Sequence, residues 1–231
     1  MNNRKDHIYE MPVSGSVSSV QVYMTRVFNL MAAGLGISGL ASLIALSIPA
    51  FTLLLVKGLF WFFIIAELVV VVYLMRKIRT MAPASAMKWF FIYSAMNGLT
   101  LAPVFLLYTR TTVVSAFFIC AGMFGGMAIW GATTRKDLSS IGAIASMGLL
   151  GLIIASVVNL FIGSSGFQLI LSYIGVAVFT GLTAYDVQTI RMMALREDET
   201  GGSMAVMGAL KLYLDFINLF LQILYILGGR R

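Results

Sequence analysis

Residues 211–224 read KLYLDFINLFLQIL, an apolar run broken only by Lys211, Asp215, Asn218 and Gln222. The intervals between those four are 4, 3 and 4 residues, so in a helix they form one polar line on an otherwise apolar surface. Such a helix suits neither water nor bare lipid. It suits the middle of a membrane bundle, its polar line beside other helices or water. A charged side chain near the bilayer centre costs at least ~2.5 to 3.5 kcal/mol, so Asp215 at such a depth needs a partner, a bundle interior or an ion path.

The rest of the chain agrees. Its 231 residues are 60% hydrophobic and 11% charged, with a mean hydropathy of +0.94. Several runs reach the roughly 20 apolar residues that cross a ~30 Å hydrocarbon core. The expected fold is therefore all-α and membrane-embedded, in contact with the lipid bilayer, with no soluble enzyme module. The net charge of +7 comes from basic residues scattered at loops and helix ends, which excludes a nucleic-acid-binding block. Cys120 is the only cysteine and His7 the only histidine, so neither a disulfide framework nor a metal site is expected, and no cofactor.

Seven spans follow, at about 27–49, 58–75, 89–108, 112–133, 138–162, 167–189 and 204–227, behind a polar tail of residues 1–26. The fifth and sixth come from one uncharged stretch, divided at GSSG, residues 163–166. Pro103 is expected to kink the third span, which a membrane helix tolerates. If the N-terminus is cytoplasmic, eleven basic residues lie inside: Arg4, Lys5, Arg26, Arg76, Lys77, Arg79, Lys88, Arg135, Lys136, Arg191 and Arg196. Four lie outside, namely Lys57, Arg110, Arg230 and Arg231. The positive-inside rule selects that orientation.

Three acidic residues fall within spans: Glu67, Asp186 and Asp215. Asp186 lies five residues before Arg191 and Asp215 four after Lys211, each about 6 to 8 Å from a basic anchor if Lys211 snorkels to the surface. The two carboxyls can then meet at one level. In a low-dielectric bundle they cannot easily both ionise, so they would share and release a proton. Lys211 could instead neutralise Asp215 across one turn. Asn218 and Gln222 continue the line, and Thr183 and Thr180 extend a similar face from Asp186. Glu67, near mid-span, is either a further residue of an ion path or a hydrogen-bonded structural group. GLGISG, residues 34–39, lies inside a span and is expected to pack helices closely, as are Gly122 and Gly126, and not to bind a dinucleotide.

Four segments, TAYDVQTI (183–190), LYLDFINLFLQIL (212–224), TTRKDLS (133–139) and NGLTLAPVF (97–105), together resemble the Bax inhibitor, or transmembrane Bax inhibitor motif, family, particularly its short bacterial members. The resemblance implies a last helix enclosed by two three-helix layers. It also implies a pH-sensitive passive calcium leak, with calcium as the transported ion, gated by a hydrogen-bonded aspartate pair that falls on Asp186 and Asp215. A basic latch at the cytoplasmic end of the second span would be Arg76 or Arg79. The bacterial inner membrane is the implied location. One bacterial branch associates with a membrane protease, so a non-conducting regulator of such a protease or of a stress pathway is the alternative. AYD at 184–186 echoes intramembrane aspartyl proteases, but LYLD replaces their G-x-G-D, and no enzyme activity is expected.

Overall fold

The computed structural model describes residues 17–195 and 201–229. Arg4, Lys5, His7, Arg196, Arg230 and Arg231 lie outside them. The described chain is helical: α1 (Val17–Ser47), α2 (Pro49–Leu54), α3 (Phe60–Lys77), α4 (Pro83–Leu106), α5 (Arg110–Thr133), α6 (Ser139–Ile162), α7 (Ser165–Ala194) and α8 (Gly202–Gly228). All but the short α2 are long and apolar enough to cross a membrane.

Helix boundaries follow local chemistry. Pro49 and Pro83 open α2 and α4 at the first turn, where the missing N–H costs nothing. A π-helical turn at Leu55–Leu59 joins α2 to α3, and Gly58 within it has φ 154°, a value that glycine adopts without strain. The membrane-crossing stretch here runs from Lys57 to Thr80, beginning within a residue of the expected 58. Gly163 ends α6 at φ 68°, and the Ser164 hydroxyl then accepts the Phe167 amide to start α7. The split expected at GSSG is thus made by a left-handed glycine followed by a serine cap. α4 runs through Pro103 to Leu106. At the other end of α5, Asp137 accepts both the amide and the hydroxyl of Ser139 at 2.9 and 2.7 Å; these donors hold its exposed carboxyl below the usual carboxylate range.

Several helices overrun the expected spans: α4 begins at Pro83, six residues before the expected 89, and α7 ends at Ala194, five after the expected 189. α1 begins at Val17, ten residues before the expected start, because helix propagates outward past Arg26. α8 begins at Gly202, which places Lys211 nine residues into the helix, about 13 Å from its start at 1.5 Å per residue.

α8 packs against α1, α4, α5 and α7, while α3 lies on α4 and α6 on α7. α1, α3 and α4 form one side and α5, α6 and α7 the other, with the last helix between them, as expected. α8 is buried around most of its circumference, including Val206, Leu210, Tyr213, Leu219 and Leu224. α3 and α6 turn Val69, Val72, Ile144 and Phe161 outward, the surface a bilayer covers. With no hydrophobic drive between helices in lipid, close backbone approach and polar contacts hold such a bundle.

That approach is tightest at α1–α4 and α5–α7. At Gly98 a Cβ would strike the Ser38 carbonyl oxygen, and at Gly131 it would strike that of Ala184. Ser38 and Ser42 on α1 donate to the Ser94 and Gly98 carbonyls of α4 at 2.7 and 2.6 Å. The expectation for other glycines is corrected: Gly34 abuts Phe90, but nothing lies within 4 Å of a Cβ at Gly36, Gly39, Gly122 or Gly126, so these four bring no helices into close contact. Gly98→Ala is expected to cost about 2 kcal/mol through overpacking, measured as a lower thermal-unfolding midpoint in detergent. Gly122→Ala should leave that midpoint unchanged or slightly raised.

Candidate functional site

The polar line of α8 opens into a cavity of about 660 Å³ between α6, α7 and α8. Lys211, Asp215, Asn218 and Gln222 all line it, and Asp186 faces them from α7. Ser146 and Ser156 of α6 and Gln168 and Tyr185 of α7 complete its polar wall. The helix spacing of 4, 3 and 4 thus converts directly into one wall of a cavity.

Lys211 Nζ donates to Asp186 Oδ1 at 3.1 Å, forming an ion pair between α8 and α7. The Asp186 side chain is 10% exposed and that of Lys211 34%, so the pair stands at the edge of the cavity rather than in bulk solvent. Asp215 is buried, and its Oδ2 has no hydrogen-bond partner. One ammonium and two carboxyls therefore share this space, and one carboxyl oxygen is left unanswered. Lower along α8, Asn218 Nδ2 donates to the Leu214 carbonyl at 2.8 Å, and Gln222 lies against the bare backbone of Gly175.

A family model described as "Inhibitor of apoptosis-promoting Bax1" matches residues 20–231. The chain belongs to the Bax inhibitor family. It is 39% identical over 220 residues to the inner membrane protein YbhL of Escherichia coli K12, covering 93% of this chain and 94% of that one. It is 40% identical over 212 residues to a protein of Rickettsia prowazekii, covering 90% of each, and 41% identical over 214 residues to one of Borreliella burgdorferi, covering 90% and 92%.

Against what the residues and the family resemblance led one to expect, the site differs at three points. The two aspartates come to one cavity, but Asp186 is held by Lys211 and Asp215 Oδ2 bonds to nothing; a proton-sharing bond is not made at that oxygen. The basic partner is Lys211, while Arg76 and Arg79 are exposed and in no ion pair with either aspartate. Lys211 is on the cavity-lining face of α8, whereas at the end of α3 it is Met75 that lines the cavity and the Arg76 and Arg79 side chains are exposed. Thr180 and Thr183 do not line the cavity; Thr183 instead donates to the Phe179 carbonyl at 2.8 Å.

Glu67 is elsewhere. It accepts from Thr100 Oγ1 at 2.8 Å, on the α3–α4 side of the bundle, and does not line the cavity with Asn218 and Gln222. Nearby, Tyr213 on α8 donates to Asn97 Oδ1 at 2.8 Å and meets Ser38 Oγ at 2.7 Å. Tyr213 is fully buried, with Phe90 and Tyr93 edge-on against its ring. Two residues from both Lys211 and Asp215, it sits ~200° around the helix from each. The sequence reading missed this second network. Its signal was there in Asn97 and Thr100, two polar residues three apart in an apolar span.

Replacing Lys211 leaves Asp186 without its counter-charge. Lys211→Met is expected to lower stability by about 2 kcal/mol, and adding Asp186→Asn should restore most of that loss. Thermal unfolding of the two single variants and the double variant in detergent measures the coupling.

Proposed function

We propose that the protein is a passive, pH-sensitive cation leak permeable to calcium, gated where α7 meets α8. The observation that carries this reading is the Asp186, Lys211 and Asp215 cluster, with one carboxyl oxygen unpartnered in a cavity. With a proton on Asp215, Asp186 is the single negative charge for Lys211 to offset, and α7 and α8 stay together. Loss of that proton as pH rises puts two negative charges across the contact with one ammonium between them. Repulsion then separates the helices, and the path opens along Asp215, Asn218 and Gln222. Carboxylates and amide oxygens are the hard donors that calcium accepts. The inner-membrane location of YbhL supports the same membrane for this chain.

The ion pair also supports placing the protein outside the aspartyl proteases. Those enzymes need both carboxyls free to activate one water, and Asp186 is engaged by Lys211. A non-conducting regulator, for instance of a membrane protease, is favoured by one feature: the Lys211 ammonium at the cavity repels a passing cation.

Calcium efflux from proteoliposomes decides between them. Efflux is expected to rise several-fold as pH increases, and Asp215→Asn should flatten that dependence. Wild-type pH dependence retained by both Asp186→Asn and Asp215→Asn would overturn the gate. No efflux at any pH, with co-purification of a membrane protease, would establish the regulator.

A further inference from the structure

A second opening lies on the far side of α8 from the aspartates. Between α1, α4, α5 and α8 is a cavity of about 270 Å³, walled by Leu35, Gly39, Phe117 and Ile217 among others. Its wall is almost wholly apolar. Ser38 and Ser42 border it, but both hydroxyls are spent on α4 carbonyls and, for Ser38, on Tyr213. A polar solute finds no free donor there.

This inner cavity continues outward. Phe105, Val113 and Val114 line it and also line a wider groove of about 750 Å³ that ends at Ser47, Tyr108 and Arg110. Val114 and Phe118 are exposed to the surrounding membrane, 53% and 68% respectively, so the slot is open sideways between α1 and α5. Arg110 is exposed and in no ion pair with a described residue. From Ser47 to Leu35 is twelve residues of α1, ~18 Å at 1.5 Å per residue, close to the ~15 Å of one leaflet's hydrocarbon. The groove is thus one leaflet deep, cationic at its outer end and dry at its inner end.

From this we infer that the groove is a binding site for one anionic phospholipid, its phosphate at Arg110 and an acyl chain between α1 and α5 reaching Phe216 and Ile217 on the back of α8. Charge complementarity at one end and an apolar, laterally open slot at the other select an amphiphile over a free anion or a soluble metabolite. Phe216 adjoins Asp215 in the chain, so the acyl chain touches the same turn of α8 that faces the aspartate cavity.

The test is native mass spectrometry of delipidated protein titrated with dioleoyl-phosphatidylglycerol or dioleoyl-phosphatidylcholine, with inorganic phosphate as competitor. One phosphatidylglycerol should be retained in preference to phosphatidylcholine, and phosphate should not displace it. Arg110→Gln should weaken phosphatidylglycerol retention about fivefold and leave phosphatidylcholine unchanged. Gly39→Phe, at a position with open space around a Cβ, should fill the slot and abolish the preferred lipid; Val114→Trp does the same from the exposed wall should the first variant misfold. Equal retention of the two lipids would overturn the site as annular lipid only. Displacement by phosphate, or sensitivity to Arg110→Gln alone, would overturn it as a surface anion contact with no chain in the slot.

Discussion

The bilayer offers α8 no water, so each polar group the helix carries must be answered inside the protein. That constraint accounts for the architecture. A helix with Lys211, Asp215, Asn218 and Gln222 on one side and Tyr213 on the other cannot lie at the rim of a bundle, where one of those faces would meet hydrocarbon. Enclosed by α1, α4, α5 and α7, Tyr213 bonds Asn97 on one face and Lys211 pairs with Asp186 on the other, and Asp215 Oδ2 is left without a partner beside the cavity. The outer helices have no such need. α3 carries one acidic residue, Glu67, turned toward Thr100, and α6 presents Ile144, Leu150 and Phe161 outward.

The two faces of α8 are held by different means. Toward α1 and α4, the Tyr213 hydroxyl bonds Asn97 and Ser38, its ring is clamped by Phe90 and Tyr93, and Gly98 brings α1 and α4 close together. These contacts are buried and are made by hydroxyl, amide and ring groups. Toward α7, the polar contact is an ion pair beside a cavity. The ion pair and the larger cavity are both on that side, so α7 is the neighbour from which α8 can part.

Much of this was legible in the residues. Periodicity in 211–224 gave the polar line, the hydrophobic runs gave seven spans, and GSSG gave the one difficult boundary. Depth counting brought Asp186 and Asp215 to one cavity, and the expected start of the last span at 204 lies within two residues of Gly202, but neither says which way Lys211 turns. The partner of Asp186 was likewise hidden. Lys211 has a carboxylate one turn away on its own helix and another across the interface, and choosing between them needs the rotation of α8 against α7, which spacing along one helix does not contain. Tyr213 escaped notice for a related reason: its ring reads as apolar filler until Asn97 and Ser38, remote in the chain, are seen beside its hydroxyl.

The choice Lys211 makes has a consequence under the proposed gating scheme. Lys211 and Asp215 ride on the same helix, one turn apart, whereas Asp186 belongs to α7. When α7 and α8 are together, the ammonium serves the interhelical pair and Asp215 Oδ2 goes without. Drawing the helices apart removes Asp186 from reach and leaves Asp215 within a turn of the same ammonium, a spacing at which opposite charges attract. The loss of one pair is then partly offset by the gain of the other, and water entering between the helices hydrates the released Asp186. Two arrangements with one ion pair each differ less in energy than one pair against none. A lysine shared between a near and a far carboxylate is therefore better suited to a gate than a lysine with a single partner.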